Sequence, residues 1–117
     1  MIDSRTLPLI QAIMATLRAH YGDALVAVYL FDSRARGDHR EDSDVDLAVA
    51  LRDPKQPLVY ADMELVDLTY DLQVEAGLYV QPWALPLTAM EGQDDSRAKL
   101  AATVKAEGRL VGLPRTS

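Results

Sequence analysis

Apolar residues recur along this chain with two periods. Ile10, Ile13, Met14 and Leu17 fall three or four positions apart. They follow Thr6, a capping residue type, and Pro8, which the first turn of a helix tolerates, so the pattern predicts a helix over Leu7 to His20. Tyr21-Gly22-Asp23 breaks it. Leu25 to Phe31 (LVAVYLF) is continuously apolar and β-rich, the pattern of a central strand covered on both faces. Val45 to Leu51 predicts a second strand, ended by Asp53-Pro54. The helical period then returns: Leu58, Ala61, Leu65, Leu68, Leu72 and Ala76 form one stripe, closed by Gly77. Leu78 to Ala84 (LYVQPWA) predicts a third strand, which Pro82 confines to an edge or a bulge. A loop containing Pro86 and Gly92 leads to a last helix from Asp94 or Ser96 to Glu107, with Leu100 and Val104 as core contacts and Gly108 closing it. The last few residues read as a free tail.

With a tight turn and short helix expected from Ser33 to Gly37, the order is helix, strand, short helix, strand, helix, strand, helix. It predicts an α+β fold, a small mixed sheet with flanking helices. At 117 residues the chain is expected to be one domain, 1–117, with a single core. A formal net charge of -6 argues against a broad nucleic-acid surface, which is normally basic, and is compatible with a basic protein partner. Glu64, Asp67, Asp71 and Glu75 stand three or four apart on the long helix, either as a solvated acidic face or as a docking surface for such a partner. The chain has no cysteine, hence no disulfide and no thiolate metal site. It shows no signal pattern and no apolar run of membrane-spanning length, so the expected location is cytoplasmic, without membrane contact.

The chemistry concentrates between the first two strands, in FDSRARGDHREDSDVD, Phe31 to Asp46. On a strand, Asp44 and Asp46 share one face while Val45, Leu47 and Val49 point the other way. Two carboxylates so close repel unless a cation lies between them, and Mg²⁺ is the usual one. Ser33 follows an apolar strand and precedes the expected short helix, where its hydroxyl and the next N–H groups could hold a phosphate, with Arg34 and Arg36 adding positive charge. These are the parts of a phosphoryl or nucleotidyl transfer site. Each half is common alone: Asp-rich turns open many strands, and strand-turn-helix joints with Ser and Gly are frequent. His39 reads as a solvated loop histidine or a phosphate contact, His20 as a helix C-terminal residue favoured by the macrodipole, and Tyr29 as structural. Tyr79 and Trp83 share a face with Gln81, as core packing or for adenine stacking.

Ten residues separate Ser33 from Asp44, and Val45 separates Asp44 from Asp46. This resembles the G-S-x10-D-x-D signature of the DNA polymerase beta type nucleotidyltransferase superfamily, and the S-R-A-R-G run, the element order and the terminal Glu-Gly-Arg-Leu-Val resemble its minimal nucleotidyltransferase branch. The resemblance implies a polymerase-beta-type core. Many members of that branch are antitoxins encoded beside a HEPN-domain RNase toxin, to a tyrosine of which they transfer AMP from ATP. It therefore implies ATP as substrate, Mg²⁺ as cofactor, and a hetero-oligomer with the toxin, with no direct nucleic-acid contact. By the same resemblance Ser33 contacts the nucleotide phosphates, Asp32, Arg36 and Gly37 make up the rest of the nucleotide-binding turn, Asp44 and Asp46 bind the metal, and Ser33, Asp44 and Asp46 are the catalytic residues. Two positions depart. Asp32 stands where the family has glycine, which costs turn geometry and adds a negative charge beside a triphosphate. The third carboxylate of larger relatives falls by register on Gln81, which is neither a base nor an anionic ligand. A tyrosine acceptor, with a pKa near 10, needs less help from a base than a sugar hydroxyl does. The alternative implied by Asp32 is an impaired enzyme that neutralises its toxin by binding it.

Overall fold

The computed structural model describes residues 6–31 and 45–112. α1 (Thr6–Tyr21) leads through a short 3-10 turn (Gly22–Ala24) into β1 (Leu25–Phe31); β2 (Val45–Leu51) is followed by α2 (Leu58–Ala76), β3 (Val80–Pro86), a single-turn α3 (Leu87–Met90), α4 (Ala98–Glu107) and β4 (Arg109–Gly112). The sheet order is β3-β2-β1-β4. β1 runs antiparallel to both β2 and β4, while β2 and β3, joined across α2, are parallel. The chain is therefore the mixed α+β fold that its periodicity predicts. Residues 33–43, where the short helix and the charged loop are expected, lie outside the described residues.

The sheet separates two apolar layers. On one face Ile10, Ile13 and Leu17 of α1 and Ala61 and Leu65 of α2 pack on Val28, Leu30, Val45, Leu47 and Val49, all essentially solvent-free. On the other, Phe31, Ala48 and Leu85 meet Ala89 of α3 and Ala101 and Val104 of α4. Alternation along each strand sorts residues to these layers, which is why the continuously apolar β1 and β2 can be covered on both sides. Thr6 stands inside α1 and is buried there, one position inward of the capping place its side chain suggests.

Gly77 ends α2 as its sequence predicts. It sits at φ 67°, a left-handed conformation open to glycine, and returns its N–H to the Gln73 carbonyl at 2.9 Å. Gly108 ends α4 for another reason. Its backbone is extended, but a Cβ there would lie 2.5 Å from the Val104 carbonyl oxygen. The close turn releases the chain straight into β4, a strand that the apolar pattern does not predict. α4 itself starts at Ala98, later than Asp94 or Ser96, because Arg97 is left-handed at φ 56°. β3 spans Val80–Pro86, two residues further along than its sequence predicts.

β3 is an edge strand, one of the two places Pro82 allows, and its open side is closed by α2 and Arg97. Gln73 Oε1 accepts the Val80 N–H at 3.0 Å, Pro82 has no N–H to expose, and Asp62 Oδ1 accepts the Ala84 N–H at 2.8 Å. Arg97 grips the Asp62 carboxylate with both terminal nitrogens, at 2.8 and 2.5 Å, and also donates to the Ala84 carbonyl at 3.0 Å. Gln73 is itself held, its Nε2 donating to Thr69 Oγ1, which donates to the Leu65 carbonyl. Removing Asp62 strands a partly buried guanidinium and reopens the edge. Asp62→Ala is expected to cost about 2 kcal/mol in denaturant unfolding and to associate with rising concentration in light scattering.

At the start of α2, Tyr21 donates to Glu64 Oε1 at 2.7 Å and His20 Nε2 lies 3.4 Å from the same oxygen, pinning α1 to α2. The Tyr21 hydrogen bond is the main reason the Glu64 carboxyl titrates below its ordinary 4.5, with Gln56 and His20 adding to it. Burial first, then Glu64, pushes the Tyr21 phenol above its ordinary 10. A depressed carboxyl binds fewer protons in the folded state, so its contribution is whole above pH 4.5 and is lost as pH falls through the depressed value. The raised phenol contributes below pH 10 and loses that contribution as pH rises further. Melting temperature against pH should therefore fall off less steeply on the acid side in Glu64→Gln, and less steeply on the alkaline side in Tyr21→Phe, than in the unaltered protein.

Candidate functional site

Asp46 is the second residue of β2 and faces away from α1 and α2. Val45, Leu47 and Val49 beside it belong to the layer under those helices, whereas Ala48, two residues on, belongs to the other. The alternation expected of the strand is thus present. Asp46 is half-buried, and its Cα partners are Phe31 on β1 and Gln81 on β3. The surface running from it along the sheet is made by Tyr29, Phe31, Ala48 and Trp83, so the carboxylate stands at the rim of an apolar floor.

Asp32, Ser33, Arg34, Arg36, Gly37, His39 and Asp44 lie outside the described residues. The segment that carries them leaves β1 at Phe31 and enters β2 at Val45, and the Phe31–Asp46 pair ties those two anchors together. Gln81 occupies the place its register predicts, directly opposite Asp46 on the parallel neighbour. Its position is set on both sides: the Val45 N–H donates to the Tyr79 carbonyl at 2.7 Å, and the Gln73 and Asp62 side chains hold the outer edge at Val80 and Ala84.

Trp83 is half-buried on the same face, with the Arg97 guanidinium 5.8 Å from the centre of its ring. That contact and the second apolar layer account for the indole as packing, one of its two expected roles. Tyr29 packs on the same layer, and Tyr79 precedes β3 with 64% of its surface exposed. His20 sits in the last turn of α1, as expected, and faces Glu64. Arg97 and Asp62 carry no local sequence signal, since 35 residues separate them and only the fold makes them neighbours.

A carboxylate facing an amide offers oxygen donors only, a set that suits a hard cation such as Mg²⁺ and not a thiophilic one. Among the described residues no three of His, Asp and Glu converge in a metal-holding cluster, so a cation beside Asp46 depends on Asp44 for a second carboxylate. A concavity of about 530 Å³ opens elsewhere, between Tyr21, Ala24, Leu51, Arg52, Lys55 and Glu64. It lies at the Leu51 end of β2, five residues from Asp46 or about 17 Å along the strand, too far to share a small ligand with that carboxylate.

A family model described as polymerase beta, nucleotidyltransferase matches residues 11–82, more than half of the chain. No curated protein matches the sequence closely enough to count as a relative. Among solved structures, a protein from Sulfolobus solfataricus assigned as a nucleotidyltransferase is 23% identical, with a TM-score of 0.63 over 91% of this chain and 78% of its own. A toxin-antitoxin structure with AMP-PNP is 20% identical, with a TM-score of 0.58 over 87% and 72%. A mutant of the toxin-antitoxin MntA-HpeT, in which two aspartates standing two positions apart are changed to glutamate, is 20% identical, with a TM-score of 0.59 over 87% and 71%. At these identities the structures share a fold with this chain.

Gln81→Asp would put a carboxylate directly across from Asp46. Like charges in that position should lower stability by about 0.5–1 kcal/mol at neutral pH without divalent cation, and added Mg²⁺ should restore it. Thermal melts of Gln81→Asp and of Gln81→Asp with Asp46→Asn, each with and without Mg²⁺, check this; the double variant should show neither effect.

Proposed function

This chain belongs to the polymerase beta nucleotidyltransferase family, and on that premise we propose that it is the antitoxin of a HEPN-type RNase toxin and transfers AMP from ATP to a tyrosine of that toxin. The observation that carries the reading is the place of Asp46, at the entry of β2 and inside the matched span, one residue from Asp44 and tied through Phe31 to the strand that Ser33 follows. Two structural neighbours are toxin-antitoxin proteins, one of them with AMP-PNP, and the aspartates changed in the other have the spacing of Asp44 and Asp46.

In this reading Asp44 and Asp46 hold Mg²⁺, which when bound neutralises phosphate charge and polarises the phosphorus under attack. Ser33 holds the phosphates, and Arg36 and Gly37 shape the turn around them. The acceptor phenol forms a bond to the α-phosphorus, the bond from that phosphorus to the bridging oxygen breaks, and pyrophosphate leaves. Gln81 opposite Asp46 cannot take the phenolic proton, so in this reading the proton goes to the departing pyrophosphate, a stronger base than water. A phenol, more acidic than a sugar hydroxyl, is the acceptor this arrangement suits.

Asp32 favours a second reading, in which the protein neutralises the toxin by contact and transfers AMP poorly, because its negative charge would stand beside the triphosphate where the family has glycine.

The two readings separate when the protein is incubated with labelled ATP, Mg²⁺ and the product of the adjacent gene. Label should enter that product, fall by about a hundredfold or more in Asp46→Ala, and rise in Asp32→Gly. Label appearing in Asp32→Gly alone would establish the contact reading instead. Neutralisation that survives Asp44→Ala and Asp46→Ala would exclude transfer as the protective step. An adjacent product without the Arg-x4-His motif of HEPN RNases would overturn the antitoxin assignment.

A further inference from the structure

α2 is apolar on two sides. Its inner stripe is in the core, but Val59, Tyr60, Met63, Tyr70 and Val74 on the opposite side are 57–64% exposed. Tyr60, Met63, Asp67, Tyr70 and Val74 follow alternate spacings of three and four, the seam of a helix that packs lengthwise against another. The seam is four turns long, about 21 Å. At its C-terminal end Tyr70, Gln73, Val74, Leu78 and Tyr79 line a groove of about 360 Å³, large enough for an aromatic or branched side chain. Contiguous apolar surface on this scale marks a contact site more often than a solvated face.

Charge identifies the occupant. Asp67 lies within the seam, midway between Tyr60 and Val74, and Asp71 and Glu75 run along one flank. None of the three has an ion-pair partner among the described residues, whereas Glu64, the fourth acid of the run, is held by Tyr21 and His20. A second copy of this chain fits badly. Symmetric pairing about the middle of the seam would set Asp67 against its own copy, in a chain of formal net charge -6. What fits is a helix with an apolar stripe interrupted by Lys or Arg near its middle and bordered by further cations on one side.

We infer that this outer face of α2 is the surface on which the toxin docks, through a basic amphipathic helix of that protein. The inference rests on the antitoxin reading and adds the surface to it. The face is remote from Asp46, since α2 covers the opposite side of the sheet.

Calorimetric titration of the full-length protein with the adjacent gene product, at low and high salt, tests it. Tyr70→Ala, Val74→Asp and Asp67→Lys should each weaken binding by at least about tenfold, and Asp67→Lys should also reduce its salt dependence. Asp67→Asn should fall between the unaltered protein and Asp67→Lys, and circular dichroism melts of all four variants should match the unaltered chain, because these side chains are exposed. A complex that all four variants leave unchanged would overturn the docking surface while leaving the antitoxin reading in place. Failure of the unaltered protein to bind the adjacent product would overturn both. A dimer of this chain by sedimentation, made monomeric by Val74→Asp, would assign the face to a second copy and overturn the inference.

Discussion

Everything near Asp46 depends on how β3 is held against β2. A parallel edge strand has half its backbone groups facing outward, and a slip of one residue would turn every side chain to the other face. Here the outer groups are taken by side chains of one helix, Gln73 at Val80 and Asp62 at Ala84, with Pro82 between them offering no donor. Arg97 completes the closure by joining the Asp62 carboxylate to the Ala84 carbonyl. The left-handed backbone at Arg97 is maintained against the usual preference of a non-glycine residue, and these bonds are the visible compensation. Gln81 faces Asp46 because of bonds made one residue before it and three residues after it.

The sequence was most legible where one local pattern determines one element. β1, β2 and α2 have the bounds their periodicity predicts, since an apolar run closed by Asp53-Pro54 and a stripe closed by Gly77 each combine a period with a stop. Pro82 narrowed β3 to an edge or a bulge, and the edge is where it lies. What was hidden depends on tertiary contacts. β4 is four residues with no pattern of their own, which pair because Gly108 turns the chain back along β1. The Asp62–Arg97 pair spans the fold. Glu64 read as one of four exposed acids, but its bond from Tyr21 belongs to the joint between α1 and α2. The outer seam of α2 was legible in principle, as a second set of apolar residues at helical spacing. A single helix with two apolar faces is easily reduced to the one that matches the core. At the site, register alone identified Gln81, while the aspartate pair is represented among the described residues by Asp46.

Charge gives the two surfaces different tasks. In the transfer reading the segment between β1 and β2 would have to attract an anion on a chain whose overall field repels one, so its cations, Arg34 and Arg36, would have to act at short range, where screening by water and salt leaves them effective. Asp32 works against them in the same few residues. The outer face of α2 has the opposite character, because its acids act in the same direction as the net charge and favour encounter with a basic protein. An acidic chain of this family therefore has a stronger general attraction for a cationic protein than for a free nucleotide.

The two surfaces are nonetheless joined through α2. Thr69 and Gln73 form the polar string that ends at the Val80 N–H, and Tyr70 and Val74, their immediate neighbours in sequence, are on the outer seam. A partner seated on the seam would bear on the same two turns of helix that fix the register of β3, and thus on the spacing between Gln81 and Asp46. Coupling of that kind requires two arrangements of α2 that differ in free energy with and without the partner. The contacts on its inner side oppose a large movement: Leu65 is fully buried, Asp62 is clamped by Arg97, and Glu64 is tied to α1. The C-terminal half reaches β3 through the Gln73 bond to Val80, which Thr69 supports, and ends at the Gly77 turn. Any effect of docking on the site would enter through that half, as an adjustment at Gln73 and Val80, while the Asp62 end stays fixed.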